Sequence, residues 1–448
     1  MKQEQVAWKY KVPFLLLTTV AIISLIPVSY ETLIPSGADI PEINHADTSW
    51  LLMASALVLL MTPGLAFFYG GMVRYKNLVS TLLQSFIALG IISVLWIVVG
   101  FSVAFGDSLG GFIGNPTTFL FFKNVGLSPH PDFGPTIPFA LFAMFQLKFA
   151  IITPALITGG LAERVRFTSL MLFLILFSLF IYAPLAHWTW HPEGFLRKWG
   201  ILDFAGGTVV HISAGFAALS GAIFMGKRKG LDEEARPTNI PYILLGTSLL
   251  WFGWFGFNAG SSLAADGLAV RAFVNTNISS ATAMLTWLFA DGAMGKKRSA
   301  AGAAIGAVVG LVAITPAAGF VTVGQSVFFG FIASIVSYTA VQLKSKTKID
   351  DTLDVFPCHG LGGIVGMILT GVFAVNGGEG VGLIHGNVGQ FLLYLLSLLI
   401  VGVFTFGGSY LLYFITDKIL PMRVTLEQEK TGLDITQHGE EAFDFSTK

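Results

Sequence analysis

Long apolar runs alternate with short polar connections along most of the chain. Stretches of membrane-spanning length, about 17 to 25 residues, recur at about 49–72, 78–105, 136–161, 168–187, 203–225, 240–264, 272–294, 300–319, 321–342, 356–375 and 388–416. The pattern predicts an all-α polytopic membrane protein with eleven transmembrane helices. A further apolar run, Val12 to Val28, follows a basic start at Lys2, Lys9 and Lys11 and is interrupted by Pro13 and Pro27. Residues 1–30 therefore read as a secretory signal peptide. A retained extra N-terminal helix is the alternative, because no clean small-x-small cleavage site follows.

The connections orient these spans. Alternate ones hold Arg74, Lys76, Arg164, Arg166, Lys227, Arg228, Lys229, Arg236, Lys296, Lys297, Arg298, Lys344, Lys346 and Lys348, fourteen in all. The intervening ones hold only Lys123, Arg197, Lys198 and Arg271. The basic excess marks the cytoplasmic side, so residues 417–448 form a cytoplasmic tail behind a membrane domain at 47–416. Eleven spans divide as five, five and one. Five is odd, so the second set runs opposite to the first, an inverted repeat with a site expected between the halves at the midplane.

Composition changes one inference. A length of 448 residues suits about three soluble domains, but 54% hydrophobic and 12% charged residues describe a single membrane domain. The formal net charge is zero, so nothing points to nucleic acid. Cys358 is the sole cysteine, which excludes an internal disulfide and a cysteine-based zinc site. No nucleotide-binding glycine loop precedes a basic residue, and no cofactor or metal is called for.

Two segments pair an acid with a histidine: Asp203 to Ser213 in the fifth span, and Asp354 to Gly363 in the tenth. At ~1.5 Å per residue, His211 lies ~12 Å deeper than Asp203. A lone histidine there would ordinarily be a packing hydrogen-bond partner. Two at equivalent positions of a repeat are expected to meet in a pore, since ionisable groups at that depth mark function. Neutral imidazole has one donor and one acceptor and changes charge near neutral pH, so His211 and His359 can pass a proton or hold a small polar solute. Asp203 is expected to cap its helix and to affect a substrate indirectly. Trp188 and Trp190 read as an interfacial belt. Phe149 and the run Trp251 to Ser261, which interleaves Trp254 and Phe257 with glycine, offer ring faces that attract weakly hydrated cations. Lys148 points ~100° away from Phe149 and calls for snorkelling or an acid partner.

These motifs resemble those of the ammonium transporter family (Amt, Mep and Rh proteins), and the match is close to its bacterial Amt branch. They are Pro63 to Gly71, Ala162 to Phe167, Asp203 to His211, Gly253 to Ser261 and Asp354 to Gly363, within a resemblance running from about Asp47 to Phe443. The resemblance implies a homotrimer of eleven-helix subunits in the inner (plasma) membrane, each with its own pore. It puts the outer recruitment site on Phe149, Trp190 and Ser261, and the gate on Phe149 and Phe257. The pore falls on His211, His359 and Trp254, and the family's acid on Asp203. Lys148 stands where the family has a small or apolar residue, and Pro357-Cys358 departs from its common pair. The implied activity is transport of ammonium or ammonia, with methylammonium as a further substrate. The tail from Arg423 to Ala442 resembles a segment that meets a PII-type signalling protein. An ammonium sensor signalling through the tail, or an Rh-like gas channel, is the alternative. An intramembrane enzyme would need a nucleophile or metal set that these residues do not supply.

Overall fold

The computed structural model describes residues 2–34, 37, 41–229 and 237–442, with the backbone alone for 2–10. Helix α1 (Lys2–Ile23) stands at the start, with Phe14, Leu16, Leu25 and Ile26 exposed. Each of the eleven predicted spans is helical: α2 (His45–Met72), α3 (Tyr75–Phe105), α4 (Phe139–Leu161), α5 (Phe167–Lys198), α6 (Gly207–Met225), α7 (Ile240–Ser262), α8 (Gly267–Ala293), α9 (Ala300–Ile314), α10 (Val323–Lys344), α11 (Phe356–Phe373) and α12 (Val388–Ile419). Among the described residues, nine of these are long and apolar enough to cross a membrane by length and composition alone.

The other two, α8 and α9, fail that test for different reasons. Helix α9 is only 15 residues long. Helix α8 is long, but it carries a polar stripe that is buried rather than wet. Ser279 and Ser280 donate to the carbonyls of Gly310 and Ala307 on α9, and Asn275 donates to those of Ala318 and Val321. Interhelical hydrogen bonds of this kind join helices where water is absent.

The connections between the spans carry strands as well as short helical turns. Among the described residues three antiparallel strand pairs fold there: Ser108–Leu109 with Ile113–Gly114, Pro129–His130 with Gly134–Pro138, and Val375–Asn376 with Glu379–Gly380. The second pair explains why α4 begins at Phe139 rather than near residue 136. Those residues spend their backbone groups on a strand partner before the helix starts.

Candidate functional site

The two histidine-bearing helices begin with a widened turn. The His211 N–H donates to the Gly206 carbonyl, five residues back, at 3.2 Å, and the Leu361 N–H reaches Phe356 in the same way. Such π-type turns recur at functional sites. Helix α6 does not start at Asp203; its first turn begins at Gly207, and Gly206 sits at φ 113° to let the chain enter. Asp203 still satisfies the exposed helix start. Its carboxylate accepts the N–H groups of Gly206, Gly207 and Thr208 at 2.8, 2.6 and 2.7 Å and the Thr208 hydroxyl at 2.5 Å.

The corresponding acid of α11 is Asp351, not the Asp354 of the sequence reading. Asp351 accepts the Phe356 N–H at 2.7 Å, five residues on, as Asp203 accepts that of Thr208. Each acid lies eight residues before its histidine (203 to 211, 351 to 359). Asp354 has φ 57° and turns its carboxylate to Lys344, at 2.5 Å. Burial pushes the Asp351 carboxyl up to about 6, against the opposing pull of Lys344.

The halves meet at glycines. A Cβ on Gly215 would lie 2.3 Å from both the N and Cα of Gly360, so only glycine allows α6 and α11 to cross this closely. Beside that crossing the Nδ1 atoms of His211 and His359 are 3.3 Å apart, both rings buried. Trp254 stacks on His211 at 5.3 Å between centroids, held by its indole N–H to the Thr315 hydroxyl at 2.9 Å. A cavity of about 10 Å³, near the size that admits one water, is walled by these rings and by Met61, Ile152, Leu156 and Val308. Nε2 of His211 is buried with no hydrogen-bond partner among the described residues.

Phe257 lies 6.0 Å from the His211 ring and in contact with Phe149, their centroids 4.3 Å apart. Trp190 meets Phe149 edge-on at 5.8 Å, and its indole N–H donates to the Asp203 carbonyl at 3.1 Å. Ring contacts thus connect Trp190, Phe149 and Phe257 in turn, and Phe257 and Trp254 both lie against His211, which meets His359. Ser261, one turn beyond Phe257, donates its hydroxyl to the Phe257 carbonyl at 2.8 Å.

Several placements differ from the sequence reading or were absent from it. Trp188 is not a belt residue. It is buried beneath Phe112, Phe195 and Phe404, with its indole N–H on the Phe112 carbonyl, because the first strand pair folds over the helix end. Phe145 packs on Phe149 at 5.0 Å; its spacing of four on one helix face was the available signal. Thr315 had none. Lys148 is half-buried, turned from the ring line, and has no acid partner among the described residues.

At the opposite end of the bundle the tail docks on its own chain. Arg423 pairs with Glu429 at 2.9 Å and donates to the carbonyls of Met225 and Lys227. Glu429 accepts the Lys229 N–H, and Asp434 accepts the N–H groups of Val79 and Ser80 at 3.0 and 2.8 Å, at the start of α3. Charge complementarity predicts that the tail orders against basic loops such as Lys227 to Arg236; the Lys227 carbonyl and the Lys229 N–H do receive it, and residues 230–236 lie outside the described residues. Arg228 instead binds buried Glu163, which also holds Arg74, and binds Asp350. Burial alone would raise Asp350, but the Arg228 guanidinium outweighs it and holds the carboxyl at about 2.

Fold and site together define a polytopic membrane transporter or channel, with a narrow aromatic path leading to a buried imidazole pair. The Ammonium Transporter Family model matches residues 49–443. The chain is 45% identical over 406 residues to an ammonium transporter of Aquifex aeolicus, covering 90% of this chain and 94% of that one. Among solved structures it superposes on Saccharomyces cerevisiae Mep2 with TM-score 0.83 at 34% identity, covering 93% and 98% of the two chains. It also superposes on a structure described as a sensor Amt protein, with TM-score 0.81 at 32% identity and 88% and 98% coverage. The chain belongs to the ammonium transporter family, whose members are channels or transporters rather than enzymes.

Proposed function

We propose that the chain recruits NH4+ at Trp190, Phe149 and Ser261 and carries ammonia past His211 and His359. The observation that carries this reading is the imidazole pair at 3.3 Å, with the His211 Nε2 unpartnered among the described residues and walled by otherwise apolar side chains. Ring faces and a hydroxyl hold a weakly hydrated cation. A dry path of this kind penalises a bare ion by far more than a neutral molecule. Ammonium can shed its proton and cross as NH3, with a polar partner waiting at the histidines; potassium has no proton to shed. Phe149 and Phe257 are in ring contact, so each passage requires one ring to swing aside.

In this reading the eleven helices all span the membrane as a five-plus-five inverted repeat with α12 outside it. The matched positions of Asp203 and Asp351 support the repeat. Residues 1–30 serve as a leader or an extra helix, 47–416 as the transport domain and 417–448 as a cytoplasmic regulatory tail. The protein works as a homotrimer in the inner membrane, and the docked tail is the surface for a PII-type signalling protein. A second reading, ammonium sensing through the tail, is favoured by the likeness to the sensor Amt structure.

The test is flux from purified protein in liposomes, with ammonium against potassium. Ammonium-dependent transport without potassium passage is the expected result. Ammonium binding with no flux of either would sink the transport reading and leave the sensor.

A further inference from the structure

Lys148 is a cation near the middle of a membrane helix, nine residues and about 14 Å from the Phe139 end of α4. Charges at such depth normally pair with one another or face a polar interior. Lys148 does neither: no hydrogen bond or ion pair satisfies it among the described residues, and it is turned away from the ring line. It lines a groove of about 540 Å³ between α2 and α4, within the size range of small-molecule sites, about 300 to 1,000 Å³. The walls are Leu52, Leu59, Leu141 and Met144, and Thr48 lines it in the first turn of α2. The groove therefore joins a mid-depth cation to the strand-pair end of the bundle along an apolar channel.

We infer that this groove holds one anionic phospholipid, its phosphate paired with Lys148 and one acyl chain along Leu52, Leu59, Leu141 and Met144. A lysine whose stem runs over apolar surface delivers its ammonium toward the headgroup level. A second copy of this chain fits less well, because it brings no free acid to that depth. The acids inside the described spans are occupied: Asp47 accepts the Ala265 N–H at 2.8 Å, Asp291 the Tyr338 hydroxyl at 3.1 Å, and Asp417 the Met422 N–H at 2.8 Å. Glu193, beyond Trp190, lies 3.9 Å from Lys198. The inference rests on the membrane fold and not on the transport mechanism.

The experiment titrates delipidated full-length protein with phosphatidylglycerol or phosphatidylcholine and counts bound lipid by native mass spectrometry. One basic side chain near an anionic surface corresponds to about a fivefold preference for phosphatidylglycerol. Lys148→Met should remove that preference, Lys148→Arg should keep it, and inorganic phosphate should not displace the lipid. Phosphatidylglycerol with a photoactivatable acyl chain should label residues 48–59 and 138–148 of the unsubstituted protein, an arm that needs no variant to fold. An unchanged preference in Lys148→Met overturns the inference. So do displacement by inorganic phosphate, labelling that misses both segments, and an amine-reactive cross-link from Lys148 to another subunit.

Discussion

The Nδ1 atoms of His211 and His359 face each other at 3.3 Å, although the two residues are 148 positions apart in the chain. A hydrogen bond between identical nitrogens requires one to carry the proton and the other to accept it. The pair therefore disfavours two imidazoliums, since both nitrogens would then be donors.

Replacing His211 by aspartate should change what the path refuses. A carboxylate beside the cavity can neutralise a bare cation, so potassium currents are expected in His211→Asp liposomes where the unsubstituted protein has none. Folded, inserted His211→Asp protein that still excludes potassium would remove the selectivity role from the pair.

The outer ring cluster predicts an affinity effect without loss of the pore. Trp190→Leu deletes a cation-π face worth ~0.5 to 2 kcal/mol, so half-saturating ammonium should rise about two- to thirtyfold. Concentration-dependent uptake measures it. An unaltered curve would leave Trp190 as packing for Phe149.

Asp203 accepts four hydrogen bonds at a buried helix start. Leaving such donors unsatisfied costs ~1 to 3 kcal/mol each, so Asp203→Ala should give little monodisperse protein. Asp203→Asn keeps an acceptor oxygen and should retain more. Equal yields from the two variants by size-exclusion chromatography would contradict the capping role.

The Arg228–Asp350 pair predicts an acid-dependent loss of stability. Asp350 is held at about 2 in the folded protein, below the ~3.9 of a free aspartate. A depressed carboxyl stabilises the fold above the free value and loses that contribution as pH falls through the folded one. Thermal melting of Asp350→Asn should therefore lie below that of the unsubstituted protein at neutral pH, with the gap closing between about pH 4 and 2. A gap independent of pH would show that the pair contributes nothing through charge.

The tail is anchored by Arg423, Glu429 and Asp434. Truncation after Met422 should leave the trimer assembled, lower transport and abolish binding of a PII-type partner. Pull-down and liposome flux decide it; full flux with retained partner binding would make the tail a passive terminus.

Much of the architecture is legible in one dimension. The apolar runs, the basic bias of alternate connections and the depth of each histidine are properties of local sequence, because a lipid solvent demands satisfied backbone and apolar side chains over every span. The motifs carried the family for the same local reason. Helix ends were less legible where the chain pairs elsewhere first, as at Pro138.

Tertiary structure alone decided the partners. The positions of Asp351 and Asp354 look alike in sequence, yet the backbone turn at Asp354 sends its carboxylate to Lys344 and leaves the cap to Asp351. The segment of α8 is counted as a span from sequence, but only the fold shows that Gly310 and Ala307 supply the acceptors for its polar stripe. Arg228 is one more basic loop residue in the sequence until folding brings Glu163 and Asp350 to it. In each case the deciding group lies far along the chain or depends on a local backbone turn. Hydrogen bonds and ion pairs reward only groups that packing brings within about 3 Å, a distance that composition and periodicity do not encode.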